Sequence, residues 1–418
     1  MEEFNYKTGE LFCEGVPLER IAREVGTPFY CYSAAHLRKR FMAYDQAFSG
    51  RDHLVCFAVK ANSNLGVLSL LGSLGAGADI VSGGELFRAL RAGIAPERIV
   101  YSGVGKTRAE IEEAIQAGIL MFNVESEQEL DAIAGVAERL GRRARIAFRV
   151  NPDVDPKTHP YISTGLKENK FGIPMERAVS AYEKAAAMEW IEVAGIDCHI
   201  GSQLTEIEPF LSAFDRLALL VKELRKIGIG LRYIDIGGGL GIRYGQEEPP
   251  EPASYIDRLL ERAAGAGLEG LKIIVEPGRS ICGNAGVLVT RVLYTKENSG
   301  KGFVIVDAAM NDLARPSLYQ AYHEIRTIRQ PPAEAPLAEV DIVGPICETG
   351  DFLARKRPMP ALGQGDLLAV MSAGAYGFTM SSNYNSRPRA AEVLVDGDGF
   401  RIVRKRETYE DLVRLEQP

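Results

Sequence analysis

Glu276-Pro277-Gly278-Arg279 directly follows the apolar run Leu271-Lys-Ile-Ile-Val275, which reads as a buried parallel strand. The four residues place a carboxylate, a rigid turn, an open backbone amide and a cation at one strand end. That set suits a cofactor with a basic ring nitrogen and a phosphate. Far upstream, Phe57-Ala-Val-Lys60-Ala-Asn62 also ends an apolar strand on a charge. A lysine there can form an imine with an aldehyde, and burial would lower its pKa enough to make it nucleophilic. Taken alone, the first segment is a strand-to-helix turn and the second a solvated strand end. As a pair they suggest pyridoxal phosphate.

Two further segments fit that cofactor. Gly237-Gly238-Gly239-Leu-Gly241 follows the apolar Tyr233–Ile236. Glycines let backbone amides approach a phosphate closely, and the spacing is not the Gly-x-Gly-x-x-Gly of a dinucleotide fold. His199-Ile-Gly201-Ser202-Gln203 could stack a flat imidazole on a pyridine ring and offer the Ser202 hydroxyl to the phosphate. Glu276 sets the electronics. A carboxylate beside the pyridine nitrogen keeps it protonated and makes the ring a strong electron sink, suited to decarboxylation. Arg279 could pair with the phosphate or with a substrate carboxylate.

These residues need elements to position them. Apolar runs at 53–60, 78–82, 98–102, 121–124, 145–150, 193–199, 233–236 and 271–276 alternate with helical patterns such as 84–91 and 108–115. Strands alternating with helices imply right-handed β-α-β units and a parallel sheet. About eight such units over roughly 220 residues predict a closed (β/α)8, TIM-type α/β barrel; an open doubly wound sheet is the alternative. Lys60, Ser82, Ser102, Asn123, Asn151, His199, Gly237 and Glu276 all fall at or just past a strand's C-terminal end. A barrel uses that face for its active site. Beyond Glu276 the texture becomes β-rich, with runs at 286–294, 303–307, 338–343, 366–371 and 392–396, and Asp396-Gly-Asp-Gly399 signals a hairpin. The expected division is therefore a barrel over 36–280 and an all-β domain from 1–35 and 281–418.

Bulk properties narrow the function class. The 418 residues exceed one ordinary core, and 46% hydrophobic with 25% charged residues is a globular composition. A net charge of -7 argues against a nucleic-acid surface and signals no membrane binding. The acidic start Met-Glu-Glu-Phe lacks the apolar core of a secretory signal. Six scattered cysteines without a Cys-x-x-Cys pair read as reduced thiols, so a cytoplasmic protein is expected. Five histidines without ligand spacing predict no metal. In the β-rich half, Cys347-Glu348-Thr-Gly-Asp351 is an acid-rich loop, Gly374-Ala-Tyr376-Gly377 reads as packing, and Arg315-Pro-Ser-Leu-Tyr319 as a surface cation and phenol.

With Asp79-Ile-Val-Ser-Gly-Gly-Glu85, Asn151-Pro-Asp-Val-Asp155, Thr158-His159 and Lys170-Phe-Gly172 added, the ordered set resembles the pyridoxal-phosphate decarboxylases of the alanine-racemase-like fold. The likeness runs over nearly the whole chain, and is strongest to the branch that acts on meso-2,6-diaminopimelate. It implies decarboxylation of that diamino diacid to L-lysine and CO2, with a homodimer sharing its active sites. It further implies that Lys60 holds the cofactor and His199 stacks on it. Ser202, Gly238, Gly239, Gly278 and Tyr376 would surround the phosphate, in the turn set by Pro277, and Glu276 would meet the ring nitrogen. Arg279, Arg315, Tyr319, Glu348 and Tyr376 would bind substrate, and Cys347 would give the proton, Cys347 and Glu348 coming from the partner. The alternatives are a sister decarboxylase for ornithine, lysine or arginine, a non-catalytic pyridoxal-phosphate carrier, and a lysine aldolase. The carrier would need no β-domain cysteine, and the aldolase leaves Glu276 and the glycine loop without a role.

Overall fold

The computed structural model describes residues 3–155 and 169–417, so Thr158 and His159 lie outside the described residues. The chain divides into two compact units, Lys39–Ile242 with Glu248–Ser280, and Met1–Arg38 with Arg243–Glu247 and Ile281–Pro418.

The first unit is the expected barrel. Its strands are β1 (His53–Ala58), β2 (Gly77–Ile80), β3 (Ile99–Tyr101), β4 (Met121–Val124), β5 (Ala144–Asn151), β6 (Ile191–Asp197), β7 (Tyr233–Asp235) and β8 (Lys272–Val275). All pair in parallel, and the circle closes where β4 meets β5 and β8 meets β1. Strands buried on both faces read as continuous apolar runs, which is why the sequence pattern locates them. Leu54, Cys56, Val100, Leu120, Met121, Ala147 and Ile274 form one apolar cluster among these strands, with Tyr233 packed against it. Burying each large side chain of that kind stabilises by roughly 1.5–3 kcal/mol.

The helices between strands start and stop on local signals. Thr107 and Glu110 form a reciprocal capping box ahead of Arg108–Ala117, which ends on left-handed Gly118. Ser126 caps Glu127–Leu140, and Ser82 caps Gly83–Arg91 by accepting from the Glu85 amide. Among the described residues no helix is long and apolar enough to cross a membrane.

The second unit is β-rich. Its main sheet runs, in spatial order, Phe352–Pro360, Leu337–Val343, Lys301–Val306, Gly286–Asn298, Phe29–Ser33, Ala391–Asp396 and Gly399–Arg404. Leu367–Val370 pairs with Gly286–Asn298 and with Ile325–Thr327. The expected hairpin forms with Asp396 opposite Gly399 and Gly397 at φ 62°. Ile325–Thr327 and Phe352–Pro360 go unread in the sequence; the latter carries Arg355, Lys356 and Arg357, and as an edge strand it keeps those charges at the solvent.

Candidate active site

The barrel gathers a lysine, a histidine and a set of buried acids at the C-terminal ends of its strands. Lys60 sits in a single helical turn after β1. Its amine is 2.5 Å from Oδ2 of Asp79 on β2, and the two side chains are 34% and 0% exposed. The sequence suggested a lysine set apart by burial. Instead the amine is partly open to solvent and ion-paired.

Gly278 forms the wall beside this turn. A Cβ on it would stand 2.9 Å from the Cβ atoms of both Ala58 and Ala61, so only glycine fits. The Ala58 amide donates to the Pro277 carbonyl at 3.2 Å, fastening the turn after β8 to β1.

Glu276 is buried, 5% exposed, at the end of β8. Asn123 on β4 donates from Nδ2 to Glu276 Oε1 at 3.3 Å, to Ser102 Oγ at 3.1 Å and to Asp235 Oδ2 at 3.5 Å. Ser102 also donates to Glu276 Oε1 at 3.4 Å. Carboxylate oxygens of Asp197, Asp235 and Glu276 lie within 4.8 Å of one another. Three buried acids this close cannot all be ionised. Burial, then Asp235, Asp79 and Asp197, push the Glu276 carboxyl well up, with Lys60 opposing. Burial likewise raises Asp235 to about 6, against the Gly237 amide that donates to it.

His199 follows β6, and its Nδ1 accepts the Gly238 amide at 3.2 Å. Burial, followed by the charges of Arg149 and Lys60, pushes its pKa well down, so the ring is neutral at neutral pH. Arg149 on β5 pairs with Glu125 at 3.0 Å and donates to the His199 carbonyl at 3.4 Å. The glycine loop is there for space as much as for freedom: a Cβ on Gly238 would collide with the Glu276 carbonyl. Gly239, at φ 123°, backs onto the Gly201 carbonyl. Ser202 Oγ accepts from Arg279 Nε at 3.3 Å and Nη2 at 3.2 Å. Lys60, His199, Ser202, Gly238, Gly239, Glu276, Pro277, Gly278 and Arg279 thus all belong to one unit, on adjoining strand ends.

The remaining candidates belong to the other unit. Arg315 and Tyr319 bound a short helix, and the Arg315 guanidinium lies 5.2 Å from the centre of the Tyr244 ring. Ser317 in that helix donates to the Gly350 carbonyl at 2.7 Å, joining it to the Cys347–Asp351 loop. Cys347 is exposed, whereas the other five cysteines are buried. Glu348 Oε2 accepts the Tyr384 hydroxyl at 3.2 Å. Tyr376 holds a left-handed backbone, φ 55°.

Asp79, Arg149, Asp197 and Asp235 had no role in the sequence reading. The signal was a charged residue inside an otherwise apolar strand, as in Gly77-Ala-Asp79-Ile and Tyr233-Ile-Asp235. Such a charge is expensive unless partnered, which marks it for a purpose.

These residues fit pyridoxal phosphate. The protonated ring nitrogen would add a cation beside Glu276, where three acids outweigh the charge of Lys60, and the amine of Lys60 is at hand for the aldehyde. Comparison with known proteins agrees. Residues 34–283 match the family of pyridoxal-dependent decarboxylases, pyridoxal binding domain. A diaminopimelate decarboxylase of Pseudomonas aeruginosa is 58% identical over 99% of this chain and 98% of its own. One from Aquifex aeolicus is 53% identical over 99% and 98%. Among solved structures, the Helicobacter pylori diaminopimelate decarboxylase complexed with L-lysine superposes with a TM-score of 0.91 at 48% identity, over 96% of this chain and 99% of that one. The diaminopimelate decarboxylase from M. jannaschii, also in complex with L-lysine, gives 0.95 at 39% identity over 100% and 98%.

Proposed function

The chain belongs to the diaminopimelate decarboxylases, within the pyridoxal-dependent decarboxylase family, and we propose on that premise that it converts meso-2,6-diaminopimelate to L-lysine and CO2. The observation that carries the reading is Glu276, a buried acid among acids that is oriented by Asn123 and Ser102 and that a cationic ring would favour in its ionised form.

Pyridoxal phosphate, when bound, supplies an electron sink for the pair left behind as CO2 departs. The chain's residues do the rest. Lys60 would hold the aldehyde carbon, with Asp79 orienting the amine. Glu276 would keep a proton on the pyridine nitrogen, itself oriented by Asn123 and Ser102. Neutral His199 would press against the ring without adding charge. The amides of Gly239 and Gly278, the hydroxyls of Ser202 and Tyr376, and Arg279 would cradle the phosphate, with Gly238 lining the loop and giving its own amide to His199.

Substrate choice follows from charge. A diacid carries one more carboxylate than ornithine, lysine or arginine, and Arg279 with Arg315 supplies cations for it. Tyr319 and Glu348 would complete the pocket, Glu348 near the end that loses CO2. Cys347 Sγ–H would then deliver a proton to the carbon that has lost it. In this reading the enzyme is a homodimer in which Cys347 and Glu348 of one chain serve the barrel of the other. A cytoplasmic enzyme accords with six free thiols.

The test is CO2 release by purified protein with pyridoxal phosphate, offered meso-diaminopimelate, lysine, ornithine or arginine in turn. Release from meso-diaminopimelate is expected. Release only from ornithine or arginine overturns the substrate assignment.

A further inference from the structure

The loop that carries Cys347 and Glu348 is held by a second segment, Ser381–Arg387, which the proposed chemistry does not otherwise use. Tyr384 is 43% exposed, yet its hydroxyl donates to Glu348 Oε2 at 3.2 Å. Next to it, Asn385 accepts the Cys347 amide on Oδ1 at 2.8 Å. Two adjacent side chains therefore grip two adjacent residues of the other loop, one by its backbone and one by its carboxylate.

The backbone is bent to make this possible. Asn385 and Ser386 are both left-handed, at φ 53° and 55°. That region disfavours L side chains, asparagine least among them, and its retention in native structures clusters at functional sites. The bend does not serve to anchor the segment, which is fixed elsewhere. Ser382 and Asn311 exchange bonds of 2.9 and 3.3 Å. Asn383 donates to Glu407 at 2.7 Å, and Arg387 to the Asp307 carbonyl at 2.9 Å. The other loop has its own anchor as well, since Asp351 accepts the amides of Met310 and Ile346 at 2.7 and 2.8 Å. With both segments already fixed, the Tyr384 and Asn385 bonds add direction to exposed groups and little to stability, because surface contacts of this kind are weak.

We propose that Tyr384 and Asn385 are positioning residues for the decarboxylation, the phenol aiming the Glu348 carboxylate and the carboxamide fixing the backbone from which the Cys347 thiol projects. This rests on the reading that Cys347 and Glu348 serve the reaction. A phenol suits such a contact. Its bond to Glu348, and then that residue's charge, raise its pKa, so it remains a donor through neutral pH. The two grips act on different steps. Losing the Glu348 grip loosens substrate binding. Losing the Cys347 grip misplaces the proton donor after substrate is bound.

The experiment measures kcat and KM for meso-diaminopimelate in the holoenzyme, with cofactor absorbance and Tm recorded for each variant. Tyr384→Phe should raise KM roughly ten-fold, the scale of one lost hydrogen bond to a charged group, and leave kcat near wild type. Asn385→Gly keeps the left-handed backbone but removes the carboxamide, and should lower kcat about ten-fold with KM unchanged. Asn385→Asp restores the acceptor and should recover most of the loss. Tyr384→Phe added to Glu348→Ala, which removes the acceptor, should cost nothing further.

Glu348→Gln and Cys347→Ser, measured beside these, separate the two ways of failing. If neither changes kcat or KM, the roles of Cys347 and Glu348 are wrong and the proposal falls with them. If both impair the enzyme while Tyr384→Phe and Asn385→Gly match wild type, the roles stand and the positioning proposal alone is overturned. A fall in Tm with loss of cofactor absorbance in Tyr384→Phe also overturns it, since the contact would then be structural.

Discussion

Lys60 Nζ stands 2.5 Å from Oδ2 of Asp79, a wholly buried carboxylate on the neighbouring barrel strand. The amine proposed to hold the cofactor is thus also the counter-ion of a buried acid. Removing it has two separable consequences, one for chemistry and one for stability.

Lys60→Ala should abolish turnover and the visible absorbance of lysine-bound cofactor. It should also destabilise the apo protein at neutral pH, because Asp79 loses its partner. Breaking a fully buried pair costs about 3–5 kcal/mol, but Lys60 is 34% exposed, so we expect ~1–2 kcal/mol after solvent screening. Lys60→Arg keeps the cation and should recover stability without absorbance. A Lys60→Ala protein that retains a borohydride-reducible cofactor at another lysine would refute the assignment.

Glu276→Gln should still bind cofactor but lose roughly ten- to a hundred-fold in kcat, the scale of a charge-assisted hydrogen bond. The neutral amide cannot hold the ring nitrogen's proton. The apo protein should keep its Tm, because burial and the neighbouring acids already favour an uncharged Glu276. Near-normal turnover would show that Glu276 is only structural.

The barrel was legible because its strands are buried on both faces and its chemistry sits where they end. Lys60, His199 and Glu276 each break an apolar run at that point. What the sequence concealed is pairing across strands. Asp79 lies 19 residues beyond Lys60, a separation set by an intervening helix, and no local pattern links them. Asn123 was visible as a polar strand end, but not as the donor shared by Ser102, Asp235 and Glu276. Cys347, Glu348, Arg315 and Tyr319 carry no local physical signal at all: their expected roles came from the family resemblance.

Asp312 predicts a pH effect on stability distinct from catalysis. Burial raises its carboxyl to about 7, against the Ala309 amide and the charges of Arg387 and Arg406. The folded state therefore keeps a proton that the unfolded chain gives up at ordinary carboxylate pH. This contribution is full at low pH and is lost as pH climbs from about 4 through about 7, by on the order of a few kcal/mol. Asn cannot ionise, so Asp312→Asn should flatten the decline in Tm between pH 5 and pH 8. Parallel wild-type and mutant profiles would show that Asp312 does not govern it.

The shared site can be tested by complementation. Lys60 and Cys347 belong to different units of the chain. If Cys347 serves the partner's barrel, two inactive variants can repair each other. Lys60→Ala lacks the amine, and Cys347→Ala lacks a proton donor typically worth ~10²–10⁴-fold. After mixing and subunit exchange, about half of the dimers are mixed in a two-fold assembly. In each mixed dimer one site carries both defects and the other carries neither. Activity should recover to roughly a quarter of wild type by the same symmetry counting. A tag pull-down confirms that exchange took place. If it has and activity stays at the level of the parents, Cys347 does not act across the dimer, and each chain would have to supply its own proton donor.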